Sequence, residues 1–141
     1  MSVAGVGANV PTVLPQDKIE MIEVVQPELT VREYIEKYFS DIPVMIQIAR
    51  CESQFRQHDK TGKTLVGKVN SGDKGVMQIN EYYHLEKAKS LGLDIHTIEG
   101  NTAYARYLFE RQGVQPWISS SPCWKKTQAY ADYRTELALN R

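Results

Sequence analysis

Apolar positions recur at helical spacing over most of the chain after residue 30, and turn residues divide that pattern into segments. Thr30 and Glu33 form a capping box ahead of a short helix from Val31 to Phe39, with Val31, Tyr34, Ile35 and Tyr38 on one face. Asp41 is expected to cap a second helix from Ile42 to about Phe55, with Pro43 in its first turn. Ile42, Val44, Met45, Ile46, Ile48, Ala49 and Cys51 cover nearly its whole circumference, which predicts a helix buried in the centre of its domain. Arg50, Glu52 and Ser53 are the polar exceptions near its C-terminal end.

From Arg56 to Lys74 the chain turns polar and glycine-bearing, and Thr64-Leu65-Val66 with Lys68-Val69 predicts a small hairpin. Val76 to Asn80 is a compact apolar segment. Helices are expected over about Glu81–Leu91 and over Ile98–Gln112, the latter capped by Thr97 and stopped by Gly113. Pro116 to Trp124 reads as a loop rich in Ser and Trp. Lys126 to Asn140 reads as a final helix with Ala129, Tyr133, Leu137 and Leu139 roughly aligned. Residues 1–29 hold Pro11, Pro15 and Pro27 and little periodicity, and are expected to be an extended arm, partly ordered around Ile19–Val25. The domain therefore runs over 30–141, and its class is mainly α with a minor hairpin.

Composition narrows the function classes. A chain of 141 residues with 42% hydrophobic and 24% charged residues can bury a core of its own. Lys+Arg and Asp+Glu both number 17, so the basic excess of a nucleic-acid binder is missing. No apolar run approaches the roughly 18 residues a membrane helix needs. Gly62-Lys63-Thr64 looks like the end of a phosphate loop, but the glycine that motif requires five residues earlier falls at Gln57, so it fails. His58, His84 and His96 match no zinc spacing. Cys51 and Cys123 read equally as two buried thiols or as one disulfide of an exported protein. Met1 to Pro15 shows neither a basic nor a continuous apolar region of a signal peptide. A thiol nucleophile at Cys51 with His84 as base has no local support.

Glu52 carries the chemistry best. It sits at the end of an almost wholly apolar helix, where desolvation and the negative end of the helix dipole both favour the protonated carboxyl. A carboxylic acid that stays protonated near neutral pH is what general-acid catalysis needs. The bland alternative is a surface Glu paired with Arg50 or Arg56.

Cys51-Glu52-Ser53-Gln54-Phe55, then Gly75-Val76-Met77-Gln78-Ile79-Asn80, then Asn101 through Tyr107-Leu108 stand in an order that resembles the lysozyme-like superfamily, most closely the soluble lytic transglycosylase domain. The resemblance covers about Ile42 to Trp124. It implies an α+β lysozyme-like fold with the hairpin beside an active-site cleft. Glu52 would be the general acid, and Ser53, Met77, Gln78 and Tyr107 would lie at the sugar cleft, with Trp117 as a further sugar contact. The substrate implied is the glycan strand of peptidoglycan, cut at the β-1,4 bond from N-acetylmuramic acid to N-acetylglucosamine. The protein would act as an exported periplasmic or extracellular monomer with no metal or organic cofactor.

Two features depart from the transglycosylase pattern. The closing segment Pro116 to Trp124, with its Trp, Ser-rich turn and Cys, resembles that of some animal-type lysozymes. Asp73-Lys74-Gly75-Val76-Met77-Gln78-Ile79-Asn80 resembles the lysozyme stretch whose Asp is the second carboxylate, whereas Ser71-Gly72-Asp73 is equally ordinary turn chemistry. The alternatives to a transglycosylase are thus a hydrolytic lysozyme using Glu52 and Asp73, or a wall-binding module without activity. A Cys51–Cys123 disulfide is expected, tying the helix of Glu52 to the Trp117–Trp124 segment.

Overall fold

The computed structural model describes residues 27–140. The expected ordering around Ile19–Val25 lies outside them. The elements run α1 (Val31–Tyr38), α2 (Pro43–Ser53), β1 (Asp73–Lys74), β2 (Ile79–Asn80), α3 (Glu81–Ser90) and α4 (Ile98–Gln112), followed by a 3-10 helix (Gln115–Ser120), α5 (Ser121–Trp124) and α6 (Gln128–Leu139). The chain is mainly helical, as its periodicity predicts.

Helix α2 is the central element and packs against α1, the 3-10 helix, α5 and α6. Val44, Met45, Ile48 and Ala49 are fully buried on it, together with Ile35 and Phe39 from α1 and Tyr104, Ala105 and Leu108 from α4. Burial of apolar side chains, each contributing about 1.5–3 kcal/mol, fixes α2 in that place. Where side-chain caps were expected at Thr30 and Thr97 they form: Thr30 and Glu33 make both bonds of the box, and the Thr97 hydroxyl accepts the Gly100 amide at 3.0 Å.

Asp41 does not cap α2. Ile42 holds the N-cap position without a side-chain bond, and Pro43 sets the first turn. The Asp41 carboxylate instead takes both terminal nitrogens of Arg106 at 2.9 Å, and Arg106 Nη2 also donates to the Tyr38 carbonyl at 2.7 Å. A forked guanidinium–carboxylate pair outbids a single amide bond, and here it ties the α1–α2 joint to α4.

The hairpin also differs from expectation. Asp73 pairs with Asn80 and Lys74 with Ile79, antiparallel, while Thr64 and Val66 make single bridges to His58 and Lys74. Residues 68 and 69 make no strand, and Val69 is fully exposed. Local bonds decide this: the Asn70 side chain accepts the Gly72 amide at 2.9 Å, and the Gly67 amide donates to the Asp73 carbonyl at 2.9 Å, closing a compact turn.

Pro116 to Trp124, expected as a loop, is instead the 3-10 helix and α5, with Trp117 and Trp124 buried. Helix α6 begins at Gln128 behind a Thr127 cap, and its Leu137 and Leu139 are exposed, so the alignment expected there does not mark a core face. Its contact with the domain runs through Tyr130 and Tyr133.

Cys51 at the end of α2 is bonded to Cys123 in α5, with Cα atoms 6.0 Å apart and a sequence separation of 72. Among the described residues no helix is long and apolar enough to cross a membrane. Closing so long a loop removes chain entropy from the unfolded state. Replacing both cysteines by serine should lower stability by about 2–4 kcal/mol, read as a lower midpoint in denaturant unfolding. An unchanged midpoint would mean that packing alone holds α5 to α2.

Candidate active site

The site begins with the way α2 ends. Its last turn carries Cys51, Glu52 and the buried Ser53, and the helix stops because Gln54 and Phe55 take left-handed backbone angles, φ 55° and 60°. The Gln54 amide closes on the Arg50 carbonyl at 2.8 Å. Left-handed non-glycine residues cost free energy and persist where the surroundings enforce them. Gln78 is a third, at φ 52°. Gln54 and Gln78 both lie on the cleft described below.

Glu52 is not a surface ion-pair partner. Arg50 Nε donates to the Gln47 side chain at 2.9 Å, and Arg56 Nε donates to the Ser53 carbonyl at 2.9 Å. Burial instead pushes the Glu52 carboxyl up to about 7, with a smaller push from the negative charge of Asp73, against the opposing effect of a hydrogen bond from Ser120. That bond, Ser120 Oγ to Glu52 Oε2, is 2.6 Å long.

The opposite wall is residues 73–80, and two buried amide side chains hold it. Gln57 Oε1 accepts the Val76 amide at 2.8 Å while its Nε2 donates to the His96 carbonyl at 3.1 Å. Asn101 Oδ1 accepts the Met77 amide at 2.8 Å, and its Nδ2 donates to the carbonyls of Lys74 and Ile95 at 2.9 and 2.8 Å. Between these amides Gly75 sits at φ 74°, and a Cβ there would lie 2.5 Å from Asn101 Nδ2 and 2.8 Å from the Gln57 amide, so only glycine fits. The clamp sets Asp73 at one end of the segment and Gln78 at the other. Asn80 Nδ2 donates to Asp73 Oδ1 at 3.0 Å, and Gln78 Nε2 donates to the Gly75 carbonyl at 2.9 Å.

Two cavities, of about 400 and 90 Å³, meet between these walls and share Glu52, Asp73, Gln78 and Ser119. The larger runs along residues 65–70 and carries Arg56 and Lys68. The smaller is closed by Trp117, Leu108 and His84. Two carboxyl groups thus face one cleft at its waist, one of them buried enough to keep its proton near neutrality. Such a pair can give a proton to a leaving oxygen and stabilise positive charge beside it.

Three expected site residues serve the architecture: Ser53 on the wall of the larger cavity, and Met77 and Tyr107 away from both cavities. Ser53 is 2% exposed and its hydroxyl serves the backbone, donating to the Ala49 carbonyl and accepting the Arg56 amide. Met77 is fully buried in the core, and its carbonyl accepts the Trp117 indole N–H at 2.9 Å. Tyr107 lines neither cavity. Its ring lies 3.8 Å from the Arg111 guanidinium carbon and packs on Tyr104, whose hydroxyl meets His84 Nδ1 at 2.9 Å. Ser120, Gln57 and Asn101 also shape the site, through contacts to Glu52, Val76 and Met77. Gln57 stands between Arg56 and His58 in a polar stretch, so nothing local marks it, Asn101 is marked only by its place at the head of the third motif, and nothing local marks one Ser among the three at 119–121.

Comparison with protein-family models, curated proteins and solved structures finds no match to this chain.

The raised Glu52 carboxyl has a consequence for stability. Its folded-state value, about 7, exceeds the usual 4.5, so the fold favours the protonated form. The associated stability is fully present below about pH 4.5 and is lost as pH rises through about 7. Glu52→Gln removes that loss. The variant should match the parent at pH 4 and exceed it at pH 8, by on the order of 2–3 kcal/mol. Parallel melting-temperature profiles against pH would show that Glu52 ionises freely in the fold.

Proposed function

We propose that this protein is a muramidase of lysozyme-like fold, an exported enzyme that cleaves the β-1,4 glycosidic bond between N-acetylmuramic acid and N-acetylglucosamine in peptidoglycan. The observation that carries this reading is a half-buried carboxyl, held at about 7, at the junction of two cavities that a second carboxyl, Asp73, also lines. The order of motifs around Glu52, Gly75–Asn80 and Tyr107-Leu108 supplies the substrate class.

In the proposed reaction the glycan lies along the cleft with its scissile bond at the waist. Glu52 gives its proton to the glycosidic oxygen as the bond breaks, and the sugar ring passes through an oxocarbenium-like state. Glu52, now ionised, takes a proton from the group that attacks the ring. In a lytic transglycosylase that group is the sugar's own 6-hydroxyl, and the product ends in a 1,6-anhydro ring. In a lysozyme it is water, and the product has a reducing end. The motif order around Glu52 leans to the first. The shared placement of Asp73 favours the second, because a carboxylate in the same cleft can stabilise the charged ring or attack it. A wall-binding module without activity would gain nothing from a half-dehydrated carboxyl at the waist of its groove.

Glu52→Gln should reduce lysis of a wall suspension by about 10²–10⁴-fold with the fold intact. Retention of more than about a tenth of the activity would end the general-acid assignment. The acid form of Glu52 is depleted above about pH 7, so lysis should fall on the alkaline side of that value.

Mass spectrometry of digested peptidoglycan should find reducing muramic ends, and Asp73→Asn should lose activity on a scale comparable to Glu52→Gln. Anhydro ends from an active Asp73→Asn enzyme would instead assign the transglycosylase route and leave Asp73 a turn residue.

A further inference from the structure

Ser120 lies on the last residue of the 3-10 helix, and its hydroxyl has more partners within reach than one geometry can use. Oγ stands 2.6 Å from Glu52 Oε2 and 3.1 Å from the Trp117 carbonyl, both acceptors, and it receives the Trp124 indole N–H at 3.0 Å. A serine hydroxyl has one proton and two lone pairs. It cannot donate to Glu52 and to Trp117 at once.

We propose that Ser120 is a positioning residue for Glu52, its hydroxyl turning between the carboxylate and the Trp117 carbonyl so that both protonation states of Glu52 are fully hydrogen-bonded. With Glu52 ionised, Ser120 donates to it, and the Trp117 carbonyl is left with the Trp124 indole N–H, 3.2 Å away. With Glu52 protonated on Oε2, the carboxyl donates to Ser120 Oγ, and the serine proton swings to the Trp117 carbonyl. The indole N–H bonds Oγ in both states. No heavy atom needs to move, and no buried polar group is stranded at either stage. The inference rests on the reading of Glu52 as the acid, since only an acid that loses and regains its proton in each cycle uses both states.

The backbone makes Ser120 hard to displace. Cys51 adjoins Glu52, and Cys123 lies one turn beyond Ser120, so the disulfide joins the two segments beside this contact. The charged and titratable groups on the same cavities are Arg56, Lys68, Asp73 and His84. None of them has a hydrogen bond to Glu52 among the described contacts. Ser120 is therefore the group that meets the carboxyl directly.

The test is a direct titration of Glu52 by carbon-13 NMR of protein labelled at the glutamate side-chain carboxyl, the resonance being assigned by its loss in Glu52→Gln. Ser120→Ala removes the donor to the ionised form, so the Glu52 midpoint should rise by about one pH unit. Ser120→Thr keeps the hydroxyl and should restore the parental midpoint. A parental midpoint in a folded Ser120→Ala protein would overturn the proposal. Should Ser120→Ala not fold, the unmodified protein gives a second readout. The Trp124 indole N–H resonance should titrate with the Glu52 midpoint, because its acceptor reverses direction, and the titration should vanish in Glu52→Gln. A flat Trp124 resonance, or one that still titrates in Glu52→Gln, rejects the switch. These readouts need no substrate. If Glu52→Gln keeps lysing walls while Ser120→Ala moves the midpoint, the hydroxyl switch stands and the catalytic reading falls. An inactive Glu52→Gln with an unmoved midpoint gives the reverse.

Discussion

Glu52 is carried on a helix that the core cannot release. Val44, Met45, Ile48 and Ala49 are buried on α2 and lock its rotation and position. Residue 52 therefore goes where those residues put it, into a partly dehydrated space between the 3-10 helix and the residue 73–80 segment. Water is what makes a carboxylate cheap, and its removal is the main reason the Glu52 carboxyl rises to about 7. The surrounding structure limits that cost without abolishing it. One hydroxyl from Ser120 supports the ionised form, and the cleft leaves one side of the group open to solvent. The balance leaves a group that can both hold and release a proton near neutral pH.

The facing wall obeys a different logic. Residues 73–80 contain only two short strands, too few ladder bonds to order a polar, glycine-bearing stretch on their own. Gln57 and Asn101 take the place of neighbouring strands, since each presents a donor and an acceptor to the backbone much as a paired peptide would. Both side chains are buried, and among the described residues no buried side-chain polar atom lacks a partner. Buried amides of this kind cost little when fully bonded and much when they are not. Gln57 follows the end of α2 and Asn101 lies in the first turn of α4. The clamp therefore ties the position of Asp73 to the same helices that position Glu52.

Legibility in the sequence followed the range of the interactions. Helices α1 and α4 were readable because their caps at Thr30 and Thr97 act within three residues, and α2 because its apolar girdle is a property of the helix alone. Asp41 was misread because its partner, Arg106, lies 65 residues away and offers two bonds where a cap offers one. The hairpin was misplaced because its β-branched residues suggested pairing over 64–69, whereas a side-chain turn at Asn70 and two distant amides chose 73–80. The Ser-rich segment before Trp124 looked like a loop because two buried indoles and a disulfide, not propensity, make it helical. The same rule holds at the site. Glu52, Asp73 and Gln78 come together on one cleft as expected, while Ser53, Met77 and Tyr107 serve backbone or packing, and Ser120 shows its importance only through a residue 68 positions earlier in the chain.

The two carboxyl groups at the waist of the cleft differ because the segments that carry them differ. Glu52 belongs to an apolar helix and is protonated by dehydration. Asp73 belongs to a short polar strand, where Asn80 donates to it and Lys74 stands beside it in sequence. The charge of Asp73 then acts on Glu52, and its effect is to raise the Glu52 value further, which reinforces the proton already held there. The charge on Asp73 thus helps Glu52 to keep its proton. A pair of identical environments would have shared one proton between them and left neither role defined. In the proposed reaction this asymmetry sets the order of events, because the half-buried Glu52 is the group held ready to give a proton, and Asp73 lies on the same cleft beside the ring that has lost its leaving group.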